Sequence, residues 1–388
     1  MTSPIESGIV EAQEQTEGTQ PSAPPIPSKH TQNLRPYRPV SSLERIDPHA
    51  NPEPLKLDWN ESTIPPSPLV IERIQAFLGN THHLNWYPDQ RAAALTQRLS
   101  SYTGQPESRI LVTSGSDAAL ENLCQTYLGP HDEVVVPSPS YTHFLVYAGA
   151  RGSRIRTVYG DDPFTLDVDS VLRAITFKTK MVYLVSPCNP TGIIWPASVV
   201  ARIARAAPQA LIVVDEAYHE FCGESAVGLV ETYSNVAVTR TFSKSFGIAG
   251  LRVGYLMASE AVINDVRRIF NPKSVNVLGQ IAATAALDDL EYLYSYVADV
   301  TTAKPILADW FRSNGFHVVS TPANFLMVKV PHTGTFIQLL EDEGVFIRDR
   351  SMQRQLERYV RISVGTVEQT HELCRRLERV IAQLPTFA

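Results

Sequence analysis

The chain has 388 residues, 44% of them hydrophobic and 19% charged, with a formal net charge of −6 at pH 7. That is enough apolar material for a large core and two or three domains, and the acidic balance argues against a nucleic-acid partner. No stretch approaches the roughly 20 apolar residues of a membrane span, and the amino terminus lacks the basic and apolar regions of a secretory signal, so a cytoplasmic location is expected.

Residues 1–32 are rich in Glu, Gln, Ser, Thr and Pro with almost no apolar periodicity, which predicts a disordered tail. Residues 33–70 read as an amino-terminal segment that packs with a smaller domain. From about residue 70, helical segments alternate with apolar strands near 111, 135, 155, 183, 213, 237 and 255. That alternation predicts an α/β domain over 71–295, with a mostly parallel seven-stranded sheet flanked by helices. The stretch 277–314 reads as a helix leading into a smaller α+β domain, residues 296–388, with strands at 325–330, 345–348 and 359–364.

Four strand-then-loop segments carry the chemistry. Arg109-Ile110-Leu111-Val112-Thr113 followed by Ser114-Gly115-Ser116-Asp117 reads as strand, tight turn and helix start. The amides of Ser116 and Asp117 would point at an anion from the helix N-terminus, or Ser116 is simply an N-cap. Met181-Val182-Tyr183-Leu184-Val185 runs into Ser186-Pro187-Cys188-Asn189-Pro190-Thr191-Gly192, where Asn189 can donate to a ring oxygen or merely form a turn. Leu211-Ile212-Val213-Val214-Asp215 puts a carboxylate at the carboxyl end of a buried strand, where ligands of open α/β sheets sit. Asp215 there either pairs with a protonated pyridine nitrogen or caps the next helix.

The fourth segment is the most telling. In Thr241-Phe242-Ser243-Lys244-Ser245-Phe246-Gly247-Ile248-Ala249-Gly250-Leu251-Arg252, a lysine stands among hydroxyls and glycines with an arginine eight residues on. The arrangement suits an aldehyde cofactor that carries a phosphate. Lys244 would form a Schiff base, while Ser243 and Arg252 hold the phosphate, although a lysine beside a glycine-rich turn is also an ordinary surface feature.

Together with Leu57-Asp58-Trp59-Asn60-Glu61, Trp86-Tyr87-Pro88-Asp89, Pro139-Ser140-Tyr141, Asp215-Glu216-Ala217-Tyr218 and Tyr359-Val360-Arg361-Ile362-Ser363, these segments resemble the fold-type I pyridoxal 5′-phosphate aminotransferases. The likeness runs from about Leu34 to the end and is nearest the histidinol-phosphate aminotransferase branch. It implies an aspartate-aminotransferase-like fold in which Lys244 bears the cofactor and shuttles the substrate proton, with Asp215 keeping the ring nitrogen protonated. Tyr141 would stack on the ring and complete the catalytic set. Asn189 and Tyr218 would bind the ring's phenolic oxygen, and the Ser116 and Asp117 backbone with Thr241, Ser243 and Arg252 would form the phosphate cup.

The resemblance also implies a homodimer with a shared active site, since Tyr87 would reach the phosphate of the partner subunit. Arg361 would clamp a substrate carboxylate, a bidentate task for which lysine is a poor substitute. Asn60 would line the same pocket. Tyr37 and Arg348, the latter in Gly344-Val345-Phe346-Ile347-Arg348, would bind a distal phosphate, with Arg350 adding positive charge nearby.

The implied reaction is amino transfer between histidinol phosphate, or a similar amine or amino acid, and 2-oxoglutarate. Alternatives are transamination of another amino or keto acid in specialised metabolism, a decarboxylase of the threonine-phosphate type, an amino-sugar transaminase, and a non-catalytic cofactor-binding module. Two segments depart from the branch pattern. Ser62-Thr63-Ile64-Pro65-Pro66-Ser67-Pro68 lacks a glycine, and Phe270-Asn271-Pro272-Lys273-Ser274-Val275-Asn276-Val277 loses an aromatic and gains a lysine. The four cysteines, Cys124, Cys188, Cys222 and Cys374, lack metal-ligand spacing and read as reduced thiols. Cys188 is either a small filler or oxidation-sensitive. No bound metal is expected.

Overall fold

The apolar runs become strands in the computed structural model, which describes residues 25–32, 34, 42–47, 49, 53–80 and 83–384. After a two-residue strand β1 (Leu55–Lys56), the large sheet is built from β2 (Ile110–Thr113), β3 (Glu133–Ser138), β4 (Arg154–Tyr159), β5 (Thr179–Val185), β6 (Leu211–Asp215), β7 (Val236–Thr241) and β8 (Gly254–Ala258). Its order is β2-β8-β7-β6-β5-β3-β4, parallel except for β8, which runs antiparallel to both of its neighbours. Helices cover both faces, and for that reason the central strands β6 and β7 are buried at every position.

Two apolar layers result. One face packs on helices Ala93–Thr103, Ala197–Ala206 and Val277–Asp288 through residues such as Leu99, Ile203 and Ala282. The other packs on Gly115–Tyr127, His143–Ala150 and Glu260–Arg267 through Leu120, Phe144 and Ile263.

A second, smaller sheet comprises β9 (His317–Ser320), β10 (Phe325–Lys329), β12 (Arg348–Asp349) and β13 (Tyr359–Ser363), in the antiparallel order β12-β13-β10-β9. Strand β11 (Val345–Phe346) instead pairs in parallel with β1, which ties the amino-terminal segment to this region. Helix Val367–Ile381 covers the sheet and begins in a reciprocal capping box between Thr366 and Gln369.

Several elements differ from the sequence reading. The stretch 277–314 is two helices, Val277–Asp288 and Leu290–Ser313. Asp289 leaves helical geometry at φ −128° and ψ 62°, and its side chain caps the second helix at the Tyr292 amide. The second helix then contributes Leu293 to a large-sheet core and Val300 and Leu307 to the small-sheet core. Strand β9 has no clear sequence signal because its end residues are exposed, as on an edge strand. The expected strand at 345–348 divides between two sheets.

Of the predicted tail, residues 25–32 are described. Lys29–Gln32 is a helical turn against helix His143–Ala150, and a Cβ at Gly152 would lie 2.6 Å from the His30 ring. Residues 1–24 lie outside the described part of the chain. Among the described residues, no helix is long and apolar enough to cross a membrane.

Candidate active site

The carboxyl ends of β2, β5, β6 and β7 converge on a cavity of about 510 Å³ that also meets the small sheet. Its walls include Ser116, Asp117, Tyr141, Asn189, Asp215, Tyr218, Thr241, Ser243, Lys244, Arg252, Arg348, Arg350 and Arg361. Most of the residues singled out from the sequence are thus brought together by strand ends and the loops that follow them.

Lys244 follows β7, and its Nζ donates to the Trp59 carbonyl at 2.8 Å, lying 5.9 Å from the centre of the Tyr218 ring. Asp215 ends β6, 4% exposed. Burial pushes its carboxyl up to about 6, against the pull of hydrogen bonds from Tyr183 and Thr239. On the neighbouring wall, Arg252 reaches the Ser243 hydroxyl at 3.4 Å and the Asp117 carboxylate at 3.4 Å. Tyr141 donates to the other oxygen of Asp117 at 2.8 Å, and Thr241 donates to Ser243 at 3.0 Å.

The helix start behind this wall packs closely on a glycine. The start of helix Gly115–Tyr127 lies against β8, and a Cβ at Gly254 would stand 2.4 Å from the Ser116 amide nitrogen and 2.5 Å from the Gly115 carbonyl carbon. Both are backbone atoms and cannot step aside cheaply. Gly254→Ala is therefore expected to displace the helix start and to destabilise the fold by about 1–3 kcal/mol, the usual cost of overpacking. Thermal unfolding of the variant checks this, and an unchanged melting temperature would refute it.

Opposite, the register of the small sheet places Arg348 of β12 directly across from Arg361 of β13. Directly paired residues on antiparallel strands share a face, so both guanidinium groups line the cavity. Arg361, 3% exposed, donates to Asn189 Oδ1 at 2.7 Å and also to the Asp58 carbonyl. Arg350 donates to the same Asn189 oxygen at 3.2 Å.

Two expected residues, Asn60 and Tyr87, are not on the cavity wall. Tyr37 lies outside the described residues. Asn60 sits behind the wall at φ 54°, donating to the Tyr218 hydroxyl at 3.1 Å and accepting from Ser363 at 2.9 Å, so it holds Tyr218 while its neighbours Trp59 and Glu61 face the cavity. Tyr87 is 78% exposed, with Lys273 5.0 Å from its ring centre. That contact takes Lys273, one of the departures from the branch pattern, to the surface. The glycine-free run 62–68 packs its Pro66 against Gly247, just beyond the lysine turn.

Residues 52–377 match the family model for aminotransferase class I and II. The chain is a class I and II aminotransferase. It is 36% identical, over 90% of its length and 96% of the relative's, to a dihydroxyacetone phosphate transaminase of Campylobacter jejuni. It is 34% identical, over 87% of its length and 94% of the relative's, to a histidinol-phosphate aminotransferase of Methanococcoides burtonii. In structure it resembles the histidinol-phosphate aminotransferase of Sinorhizobium meliloti in complex with pyridoxal 5′-phosphate, with a TM-score of 0.81 at 28% identity, covering 92% of this chain and 98% of the other. The fold type I assignment and the pyridoxal 5′-phosphate cofactor follow.

The aminotransferase's cavity fits that cofactor. A lysine amine, a buried carboxylate and a helix N-terminus flanked by Ser243 and Arg252 are the donor and acceptor set that an aldehyde, a pyridine nitrogen and a phosphate require. Sequence reasoning missed Trp59, Glu61, Ser140, Thr142 and His143 on the wall, and Tyr183 and Thr239 behind Asp215. For Thr239 strand parity carried a signal, since alternate residues of a strand share a face with Thr241. The cysteines are all free thiols, and burial pushes that of Cys188 up, as for a filler inside its loop. Among the described residues no cluster of His, Cys, Asp or Glu is placed to hold a metal.

Proposed function

We propose that this aminotransferase transfers the amino group of a carbon that neighbours a phosphoryloxymethyl group, with histidinol phosphate as donor and 2-oxoglutarate as acceptor. The observation that carries the reading is the cross-strand pair Arg348 and Arg361, two cations directly opposite each other on the cavity wall with Arg350 beside them. Like charges so placed repel, and a dianionic phosphate relieves that repulsion while accepting from both forks. On the half-reaction with 2-oxoglutarate the same arginines receive carboxylates.

The cofactor, when bound, supplies an electrophilic carbonyl for the amino group and a ring that draws off electrons as the substrate loses its proton. The protein's residues do the rest. Lys244 Nζ takes the proton from the substrate carbon and returns it on the other side of the exchange. Asp215 answers the ring nitrogen, Tyr141 lies against the ring, and Asn189 and Tyr218 donate to the ring oxygen. The amides of Ser116 and Asp117 with Thr241, Ser243 and Arg252 hold the phosphate. Asn60 acts through Tyr218. The active unit in this reading is a homodimer in which Tyr87 reaches the partner's phosphate, supported by the exposed apolar group Leu84, Trp86 and Tyr87.

A second reading keeps the site and changes the substrate's other arm. The likeness to the Campylobacter jejuni dihydroxyacetone phosphate transaminase favours it. Dihydroxyacetone phosphate and the keto form of histidinol phosphate share a carbonyl beside a phosphoryloxymethyl group, and differ in carrying a hydroxymethyl or an imidazolylmethyl arm.

The test is amino transfer measured with the loaded enzyme, using histidinol phosphate with 2-oxoglutarate and glutamate with dihydroxyacetone phosphate. Glutamate formed from histidinol phosphate supports the first reading. Consumption of dihydroxyacetone phosphate alone supports the second. Carbon dioxide release without glutamate, or turnover restricted to unphosphorylated amino acids, would remove both. In either reading Arg348→Gln is expected to raise KM for the phosphorylated substrate about 10- to 100-fold with kcat little changed, the worth of a hydrogen bond to a charged group.

A further inference from the structure

Asp215 has both carboxylate oxygens occupied by uncharged hydroxyls. Tyr183 donates to Oδ2 at 2.8 Å, and Thr239 donates to Oδ1 at 3.2 Å. The register makes this arrangement: Asp215 pairs directly with Thr239 across β6 and β7, while Tyr183 reaches over from β5, two residues before Val185, the strand partner of Asp215. Neither Tyr183 nor Thr239 has any exposed surface. The Tyr183 ring is locked by stacking on Phe144, with centroids 3.7 Å apart and planes 12° from parallel. Burial beside a carboxylate also pushes the Tyr183 hydroxyl far above its ordinary range, so it stays a donor.

Such donors favour the charged form of a carboxylate and lower its basicity. Two influences act the other way, the burial of Asp215 and the Asp117 carboxylate at the start of the phosphate-side helix.

We propose that Tyr183 and Thr239 are positioning residues that keep the shared proton on the cofactor's ring nitrogen rather than on Asp215. The inference rests on the reading of Asp215 as the partner of that nitrogen. A single proton lies between the two groups. With a hydroxyl donor removed, the carboxylate becomes the better base, the proton passes from nitrogen to oxygen, and ring and carboxyl both become neutral with no other bond changed. A neutral ring is the weaker electron sink, so the cost falls on the chemical step and not on substrate binding.

The experiment compares wild type, Tyr183→Phe, Thr239→Val and Asp215→Asn, each loaded with pyridoxal phosphate labelled with ¹⁵N in the ring. The readouts are the ring ¹⁵N shift and, separately, kcat and KM. Tyr183→Phe is expected to move the shift toward the neutral-pyridine position and to lower kcat about 10-fold at unchanged KM, the order expected for one hydrogen bond to a charged group. Thr239→Val should do the same more weakly. A shift that moves in Asp215→Asn but not in Tyr183→Phe or Thr239→Val overturns the inference and leaves the role of Asp215 standing. A shift unmoved in Asp215→Asn overturns both. If Tyr183→Phe fails to fold, Thr239→Val decides, with a moved shift supporting the proposal and an unmoved one sinking it.

Discussion

Lys244→Ala is expected to lower kcat by about 10⁴-fold, the upper end for a positioned acid-base group. The amine is already aimed into the cavity, 2.8 Å from the Trp59 carbonyl and beside the Tyr218 ring, and among the described residues no other lysine lines the wall. Borohydride treatment should fix pyridoxal phosphate to the peptide containing Lys244 in the wild type and leave the variant unlabelled by mass spectrometry. An added small amine should restore part of the variant's rate, because it replaces the missing base without needing the side-chain tether. A variant that keeps more than a tenth of wild-type turnover would take Lys244 out of the chemistry.

Asp215→Asn is expected to divide function from stability. Turnover should fall by about 10²- to 10⁴-fold, since an amide cannot hold positive charge on a ring nitrogen and the electron sink is lost. Without cofactor the sign reverses. The Asp215 carboxyl is raised from 3.8 to about 6 in the fold, so the folded state binds the proton more tightly than the unfolded chain. Its contribution to stability is then fully present below pH 4, declines between pH 4 and 6, and is lost above. A shift of that size corresponds to about 3 kcal/mol at 1.36 kcal/mol per unit. The cofactor-free variant should therefore unfold at a higher temperature than the cofactor-free wild type at pH 8, with the two converging near pH 4. Equal melting temperatures at pH 8 would show that burying this charge costs nothing.

The same carboxylate shows how far local sequence carries. Four apolar residues ending in Asp215 were enough to place a charge at the end of a buried strand, because continuous apolar runs belong to strands covered on both faces. What surrounds that charge was not legible. Tyr183 sits inside another apolar run, where an aromatic reads as filler, and only the juxtaposition of β5 with β6 turns it toward Asp215. Gly254 likewise reads as an ordinary glycine before a strand until β8 is found beside the start of helix Gly115–Tyr127.

Asn60 is an instructive difference. Its position in the motif with Trp59 and Glu61 suggested a place on the pocket wall, yet the left-handed backbone at that residue turns its amide back to Tyr218 and Ser363. The single predicted helix over 277–314 fails for a comparable reason. Asp289 offers its carboxylate to the next helix start, a local hydrogen bond that competes with continuing the first helix.

By itself the sequence determined the periodic features: the apolar strands, the Lys244 turn with the arginine eight residues on, the Asn189 loop, and the family those pieces spell. Each depends on neighbours a few residues away, so each survives in a linear reading. The tertiary structure alone decided what faces what. It put Arg348 opposite Arg361, Thr239 and Tyr183 on the two oxygens of Asp215, and β8 between β2 and β7 so that Gly254 lies against the Ser116 amide. Strand order and register are set by pairing between segments far apart in the chain. A shift of one residue would turn these side chains to the opposite face, which is why no local pattern contains that information.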